Sequence, residues 1–472
     1  MPSAAGRGVV RYSTLRKRRF EEGGCDATKE GHVMSREDSI VGILLLVGLG
    51  SLTGTASSET YIVDQSGGGD FLTIQDAIDV AQDLDEILVR SGTYVENIDY
   101  SGKDLWIHSE SGPDATIIDG SAGPGDTGTT VTFSGGESIV AKLEGFSVTG
   151  GHGTDYVDRN RGGGILCLNA APTIFSCKIY GNTADGGAGF YGDNANPTII
   201  ECQFTNNSAA SLGGAISNSS AGANYYIYEC LFEDNSAGWG GGALHCDPCT
   251  GVIEDCEFRG NIADTGGAVS LGYGPGPSFR TCIFEDNQAV HSNGGAVRLR
   301  EGSVEFEACL FVDNHADVDG GAIFATDPGA EVNLQSCTLY GNGAGRYGGN
   351  LAGYSTFFHC QNTIISFAVL GSGVYCTGSD AQFLCCDVYG NAGGDFEGGC
   401  GFGGENGNIS MDPLFCNPGN GDFQLRDDSP CAPFSPPNSE CDLIGALPVG
   451  CTAPTPTESV SWGRLKTTYE GH

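Results

Sequence analysis

Residues 266–347 read GGAVSLGYGPGPSFRTCIFEDNQAVHSN (Gly266–Asn293), GGAVRLREGSVEFEACLFVDNHADVD (Gly294–Asp319) and GGAIFATDPGAEVNLQSCTLYGNGAGRY (Gly320–Tyr347). One unit is written three times, and two further copies precede it from Gly213. Each copy opens on glycines and an alanine and has an apolar residue three places before a cysteine. An aromatic or aliphatic residue follows two places after that cysteine, and an asparagine five after it. One such unit cannot bury its own apolar face, so the fold must be built by stacking neighbours.

The register reaches well beyond these copies. Cys177, Cys202, Cys230, Cys256, Cys282, Cys309, Cys337 and Cys386 are each followed by an asparagine, in order Asn182, Asn207, Asn235, Asn261, Asn287, Asn314, Asn342 and Asn391. Up to Cys337 the cysteine-to-cysteine steps are 25, 28, 26, 26, 27 and 28 residues. The interval from cysteine to asparagine never changes, while the rest of the unit varies. Rigid strand-and-turn pieces joined by elastic loops give this pattern.

Three short strands fit in each unit: one after the glycines, one carrying the apolar residue before the cysteine, and one running on from the cysteine. Side chains alternate along a strand, so the cysteine and the residue two places on share a face. The spacing therefore predicts an all-β fold, a right-handed parallel β-helix solenoid of about ten coils. It is to be plugged by an N-terminal capping helix and closed by a Cys-rich C-terminal cap. Asparagine suits a tight turn because it tolerates the left-handed conformation, and stacked amides about 4.8 Å apart can bond to one another. The cysteine column reads as small, buried, unpaired thiols packed in the core. No histidine or acid repeats beside it, which argues against a metal array.

From the N-terminus, residues 1–33 are basic and patternless and read as an over-extended start or a disordered segment. Residues 34–56 have a charge at Arg36, an apolar run from Ile40 to Leu49, and small residues at Gly54-Thr55-Ala56. That is the pattern of a signal peptide, too short to span a membrane, so an exported protein without a transmembrane span in its mature chain is expected. Residues 57–130 read as the N-terminal cap and first coils, 131–399 as the repeats, 400–451 as the cap and 452–472 as a tail. The net charge of −37 weighs against nucleic acid and anionic membranes as partners.

Three resemblances add to this. Asp70-Phe71, Thr73-Ile74-Gln75, Gly92-Thr93-Tyr94 and Glu96-Asn97 resemble the opening of pectin methylesterases, in the pectin-lyase-like superfamily. The likeness covers about sixty residues and stops before that family's catalytic aspartates. The repeats 162–345 resemble those of the chlamydial polymorphic membrane proteins. Their marks are Gly-Gly-Ala-Ile, at 213–216 and 320–323, and Phe-x-x-Asn, as in Phe232 with Asn235. That resemblance implies surface or outer-membrane display and adhesion to a glycan or a host surface component. The membrane barrel ending that family is not expected, since 21 residues follow Cys451. The closing segment, with Asp412-Pro413-Leu414-Phe415 and Ser429-Pro430-Cys431, resembles that of a class of secreted bacterial β-helix proteins. In an exported protein some of its cysteines should pair, and Cys431 with Cys441 is the expected bridge.

The face of the Gly-Gly-Ala strand is the expected place for a site. Its outer column is read as Leu166, Phe190, Ser217, His245, Ser270, Arg298, Phe324 and Leu351. The polar concentration on it is His245, Asp247, Arg298 and Arg300, a candidate sugar-acid binding or lyase site. Acid–base work on a sugar needs paired carboxylates, and one aspartate does not form a pair. Asp286 and Asp313 stack like charges on neighbouring rungs, which makes calcium the one cofactor to consider. Gly151-His152-Gly153 is similar to a short polygalacturonase motif, but the acids that accompany it there have no counterpart here. The reading is thus a secreted or cell-surface, non-catalytic protein presenting a long face for adhesion or carbohydrate binding. The alternative is a polysaccharide lyase or glycoside hydrolase.

Overall fold

The computed structural model describes residues 58–122, 128–219, 222–402 and 406–453. The leader expected at 34–56, the basic stretch before it and the tail from 454 lie outside the described residues. Contacts divide the chain into two units, one of them 58–416 with 423–472. In the other, 1–57 with 417–422, the described part is a turn with a 3-10 helix at Pro418–Asn420.

The larger unit is a right-handed parallel β-solenoid of 13-, 12-, 12- and 9-stranded sheets, its strands pairing with their counterparts one coil on except for an antiparallel hairpin, Thr154–Asp155 with Asn160–Arg161, that opens the 9-stranded sheet. We name them by position. The front sheet precedes the cysteine bend and the phenylalanine sheet follows it. The alanine sheet comes after the asparagine, and the glycine sheet after the glycines. Thirteen front strands exceed the ten coils expected, because the first four, Thr60–Val63, Glu86–Val89, Trp106–Ser109 and Lys142–Glu144, belong to coils without the cysteine–asparagine mark. The alanine sheet is also additional to the three strands expected. Its signal is Asn-x-Ala, with Ala209, Ala237 and Ala263 buried in a small cluster of their own. Alanine is a weak strand former, so composition concealed these strands.

Two polar rows close the coil. In the asparagine row, Asn235 donates to the Oδ1 of Asn261 from its backbone N–H and from its Nδ2, both at 3.1 Å. Asn261 repeats this toward Asn287, and its Nδ2 also bonds the Phe232 carbonyl at 3.0 Å. Each asparagine of the row, Asn182, Asn207, Asn235, Asn261, Asn287, Asn314 and Asn342, is fully buried. The rung starting at Thr363 has Ala368 where the asparagine should stand. There Asn350, from the preceding glycine sheet strand, fills the gap, accepting from Asn342 at 2.8 Å and donating to Asn391 at 3.0 Å. The row ends where the Asn391 amide donates to the Asp395 carboxylate at 3.0 Å.

The cysteines form the second row, and all eight are unpaired and buried. The residue before each one sits in the left-handed region, as in Asp255 at φ 55° and Ala308 at φ 52°, which turns the chain sharply between the front and phenylalanine sheets. Inside that bend the backbone N–H of Cys230 donates to the Cys256 sulfur at 3.4 Å, and the Cys256 thiol donates to the Glu254 carbonyl at 3.2 Å. Burial holds the thiols of Cys256 and Cys309 protonated. Thr363 takes the cysteine position in its rung and repeats both bonds, at 3.3 Å from the Cys337 N–H and 2.9 Å to the Gln361 carbonyl. The position thus asks for a small donor–acceptor group. Cys256→Thr should leave stability nearly unchanged, whereas Cys256→Val, of similar size, should cost about 1–2 kcal/mol in denaturant unfolding.

The first glycine of each pair bends the chain into the glycine sheet. Gly266 has φ 59°, and a Cβ on Gly267 would lie 2.2 Å from the Gly295 carbonyl oxygen. Inside the coil Phe204, Phe232, Phe258, Phe284 and Phe311 stack at 5.2, 4.7, 4.8 and 4.7 Å between ring centroids. Phe279 and Phe306 of the front sheet meet them edge-on.

A seven-residue helix, Ile74–Val80, lies near the start, with Ile74, Ala77 and Ile78 buried in the core that includes Ile87 and Val89. The Glu96 carboxylate accepts from the N–H groups of Ile74 and Gln75, at 2.9 and 3.0 Å, which satisfies two of the helix's first donors.

The disulfide expected between Cys431 and Cys441 is not formed. Cys441 pairs with Cys385, and the other bridges are Cys376–Cys400, Cys416–Cys451 and Cys246–Cys249. Two of the partners, Cys376 and Cys385, lie in the last coils, outside 400–451. Cys385 occupies the left-handed position before Cys386, at φ 52°, and reaches Cys441 with Cα atoms 5.8 Å apart. Cys431 is buried and donates its thiol to Asp387 at 3.3 Å.

Candidate functional site

The glycine sheet's register sets its outer column as Leu166, Tyr191, Ser217, His245, Ser270, Arg298, Phe324 and Ala352. Phe190 and Leu351, expected outside, align with Ile216 and Ile323 and point into the core. Nor is the column open: Ser217 is 1% exposed, Ser270 2% and His245 9%. The chain that bends at the glycines passes over it. A Cβ on Gly240 would lie 3.0 Å from the Ser270 hydroxyl, and one on Gly266 3.2 Å from the Cβ of Arg298.

Of the four predicted residues, His245 is buried on this seam, whereas Asp247, Arg298 and Arg300 are partly exposed along it. His245 lies on the strand Leu244–Cys246 and Asp247 just after it, inside the Cys246–Cys249 bridge. Arg298 is two rungs on, beyond Ser270. Asp247 accepts the N–H of Tyr273 at 2.9 Å. Arg300 pairs with Asp327 at 3.3 Å and lies 4.6 Å over the Tyr273 ring. Burial, opposed by Asp247 and reinforced by Arg298 and Arg161, pulls the His245 imidazole down to about 4, and its Nδ1 is without a hydrogen-bond partner. Burial, with Arg300 alongside, also lowers Arg298. The seam holds a neutral histidine, an aspartate bonded to a backbone N–H and an arginine paired with Asp327, not a pair of adjacent carboxylates.

A pH dependence follows. The folded protein binds the His245 proton less readily than the unfolded chain, whose imidazole titrates near 6.5. Stability from this group is full above about pH 6.5 and lost as the pH falls toward 4, by about 3 kcal/mol in all. Melting temperatures of the wild type and His245→Phe should therefore converge or cross between pH 7.5 and 4, with the wild type falling further.

Asp286 and Asp313 have a backbone role. Both are left-handed, at φ 54° and 53°, in a column where Gly260 and Gly341 take the same conformation. Aspartate is tolerated there as few other side chains are. Among the described residues, no three histidine, cysteine, aspartate or glutamate side chains gather as metal ligands. His152 bonds the Thr183 hydroxyl at 2.7 Å. No helix among the described residues is long and apolar enough to cross a membrane.

The front sheet shows what the sequence reading passed over. Phe175, Ile200 and Tyr228 follow one another on three rungs of its outer face, with Tyr226 and Val252 in the next column. The signal was present: these residues flank the buried Ile174, Ile199, Ile227 and Ile253 by one place, so alternation puts them outside.

The family described as right handed beta helix region matches residues 242–410, and the Chlamydia polymorphic membrane protein repeat matches 201–219 and 229–247. No curated protein matches the chain. Among solved structures, a pectin methylesterase from carrot is 12% identical over 74% of this chain and 91% of its own, with a TM-score of 0.20. A mannuronic acid specific polysaccharide family 6 lyase from human gut microbiota is 10% identical over 72% and 82%, with a TM-score of 0.26. Overlays this loose carry no weight here. The coil and its register make this chain a right-handed parallel β-helix protein, in which 201–219 and 229–247 are similar to the polymorphic membrane protein repeat.

Proposed function

We propose that this is an exported, surface-associated β-helix protein that contacts glycans or a cell-surface component along its length and cleaves nothing. The polymorphic-membrane-protein repeats support surface placement. The short helix Ile74–Val80 serves as the N-terminal plug of the tube in this reading. The observation that carries the non-catalytic part is how the seam's groups are committed. Arg300 is paired with Asp327, Asp247 with a backbone amide, and His245 is buried and neutral. A general acid or base has to reach its substrate's proton.

The test is incubation of the chain with acidic and neutral polysaccharides, with and without calcium, scoring both cleavage and retention. Retention without new chain ends is the expected result. Unsaturated or reducing ends would overturn it in favour of a lyase or a hydrolase. Calcium is not needed in this reading, so adding it to metal-stripped protein should leave the melting temperature unchanged.

A further inference from the structure

We propose that the binding face is the third to eighth strands of the front sheet, and that its ligand is a neutral polysaccharide chain lying along the stack. This rests on the reading above and moves the contact surface away from the glycine sheet, whose outer column is covered.

The platform spans six successive front strands, from Trp106–Ser109 to Cys249–Glu254. At about 4.8 Å per step it is about 24 Å long, room for several sugar rings. Trp106 is 41% exposed and Tyr226 37%. Phe175, Ile200 and Tyr228 are partly exposed between them. The rings are held in place before any ligand arrives. Trp106 stacks on His108 at 4.3 Å and donates its Nε1 to Glu144 at 2.8 Å, and His108 is anchored by Glu86 at 2.7 Å. Tyr226 and Tyr228 lie 6.4 Å apart with their planes 11° from parallel. Lys142 lies over the Trp106 and Phe175 rings, so the π-faces offered to the C–H faces of sugars are those of Tyr226 and Tyr228, with Trp106 beside them as a reporter.

Charge selects the ligand. Glu86, Glu144 and Glu254 project on the same face, in the same alternating columns as the rings. The cation among them, Lys142, is paired with Glu144 at 2.7 Å and sits 4.6 Å over the Phe175 ring. A polyuronate, an anionic membrane or a second copy of this acidic chain would bring negative charge onto carboxylates. A neutral glycan brings none, and its hydroxyls can donate to those same carboxylates.

Native electrophoresis through gels containing a soluble β-glucan, a galactomannan, polygalacturonate or alginate tests this. The chain should be retarded by at least one neutral polymer and by neither acidic one. The Tyr226→Ala, Tyr228→Ala double variant should bind about tenfold more weakly, with an unchanged melting temperature because both rings project from the coil. Titration with the retarding polymer should alter tryptophan emission, and Trp106→Phe should abolish that change. Equal retardation of the double variant, or retardation by the acidic polymers alone, would overturn the assignment of face and ligand while leaving non-catalytic glycan contact standing. Cleavage of any of the polymers would instead sink the function on which it rests.

Discussion

Replacing Asn261 by leucine should lower stability by about 4 kcal/mol. The substitution leaves the buried N–H of Asn235 without its acceptor and removes the amide that bonds the Phe232 carbonyl. Each buried polar group left unsatisfied costs about 1–3 kcal/mol, and leucine also has to fit a bend shaped for an amide. The solenoid makes the effect local. A coil touches only its neighbours, so a break at mid-stack should divide one unfolding transition into two. Guanidinium unfolding followed by circular dichroism would show both the loss and the split. Asn261→Asp separates shape from hydrogen bonding. It keeps an oxygen for Asn235 but turns another toward the Phe232 carbonyl and the Asn287 oxygen, so it should be destabilising and more so as the pH rises. A leucine variant as stable as the wild type would mean that the row contributes little.

The second large effect is expected at Phe258. Its ring is fully buried between Phe232 and Phe284, at 4.7 and 4.8 Å and within 7° of parallel to each, with Phe279 against its edge at 6.1 Å. Phe258→Ala should cost about 3–5 kcal/mol, the usual range for an emptied aromatic site in a core. Phe258→Leu, the residue type found at Leu339 in the same column, should cost about 1–2 kcal/mol because much of the volume is retained. Equal losses for the two variants in equilibrium unfolding would show that filled volume does not set stability here.

Both positions were legible from the chain alone. The invariant cysteine-to-asparagine interval is a distance along one bend and one strand, and no loop intervenes to blur it. The glycine sheet was harder to read. At residues 186–190 the order is Gly-Gly-Ala-Gly-Phe, and matching its first three residues to Gly213-Gly214-Ala215 shifts the frame by one. A one-residue slip reverses every side chain on a strand, so that frame puts Phe190 outside, where the structure has Tyr191. The burial of His245 was out of reach for a different reason. It depends on the path of chain from the alanine sheet, whose strands are short and rich in alanine, serine and glycine. The Cys385–Cys441 bridge joins residues 56 apart, and nothing local marks such a pairing.

The asparagine row has a head and a tail. Along it each amide receives on its oxygen from the N-terminal side, beginning with the Gly151 N–H on Asn182, and gives one hydrogen to the C-terminal neighbour and the other back to a carbonyl of the preceding coil, while the asparagine's backbone N–H also points to the C-terminal neighbour. Aligned in this way, the small dipoles add along the axis as peptide dipoles do in a helix. Their positive pole falls at Asn391, where Asp395 supplies a carboxylate. The coil therefore has an electrical direction from Asn182 to Asn391, and a transplanted unit would fit it in one orientation only.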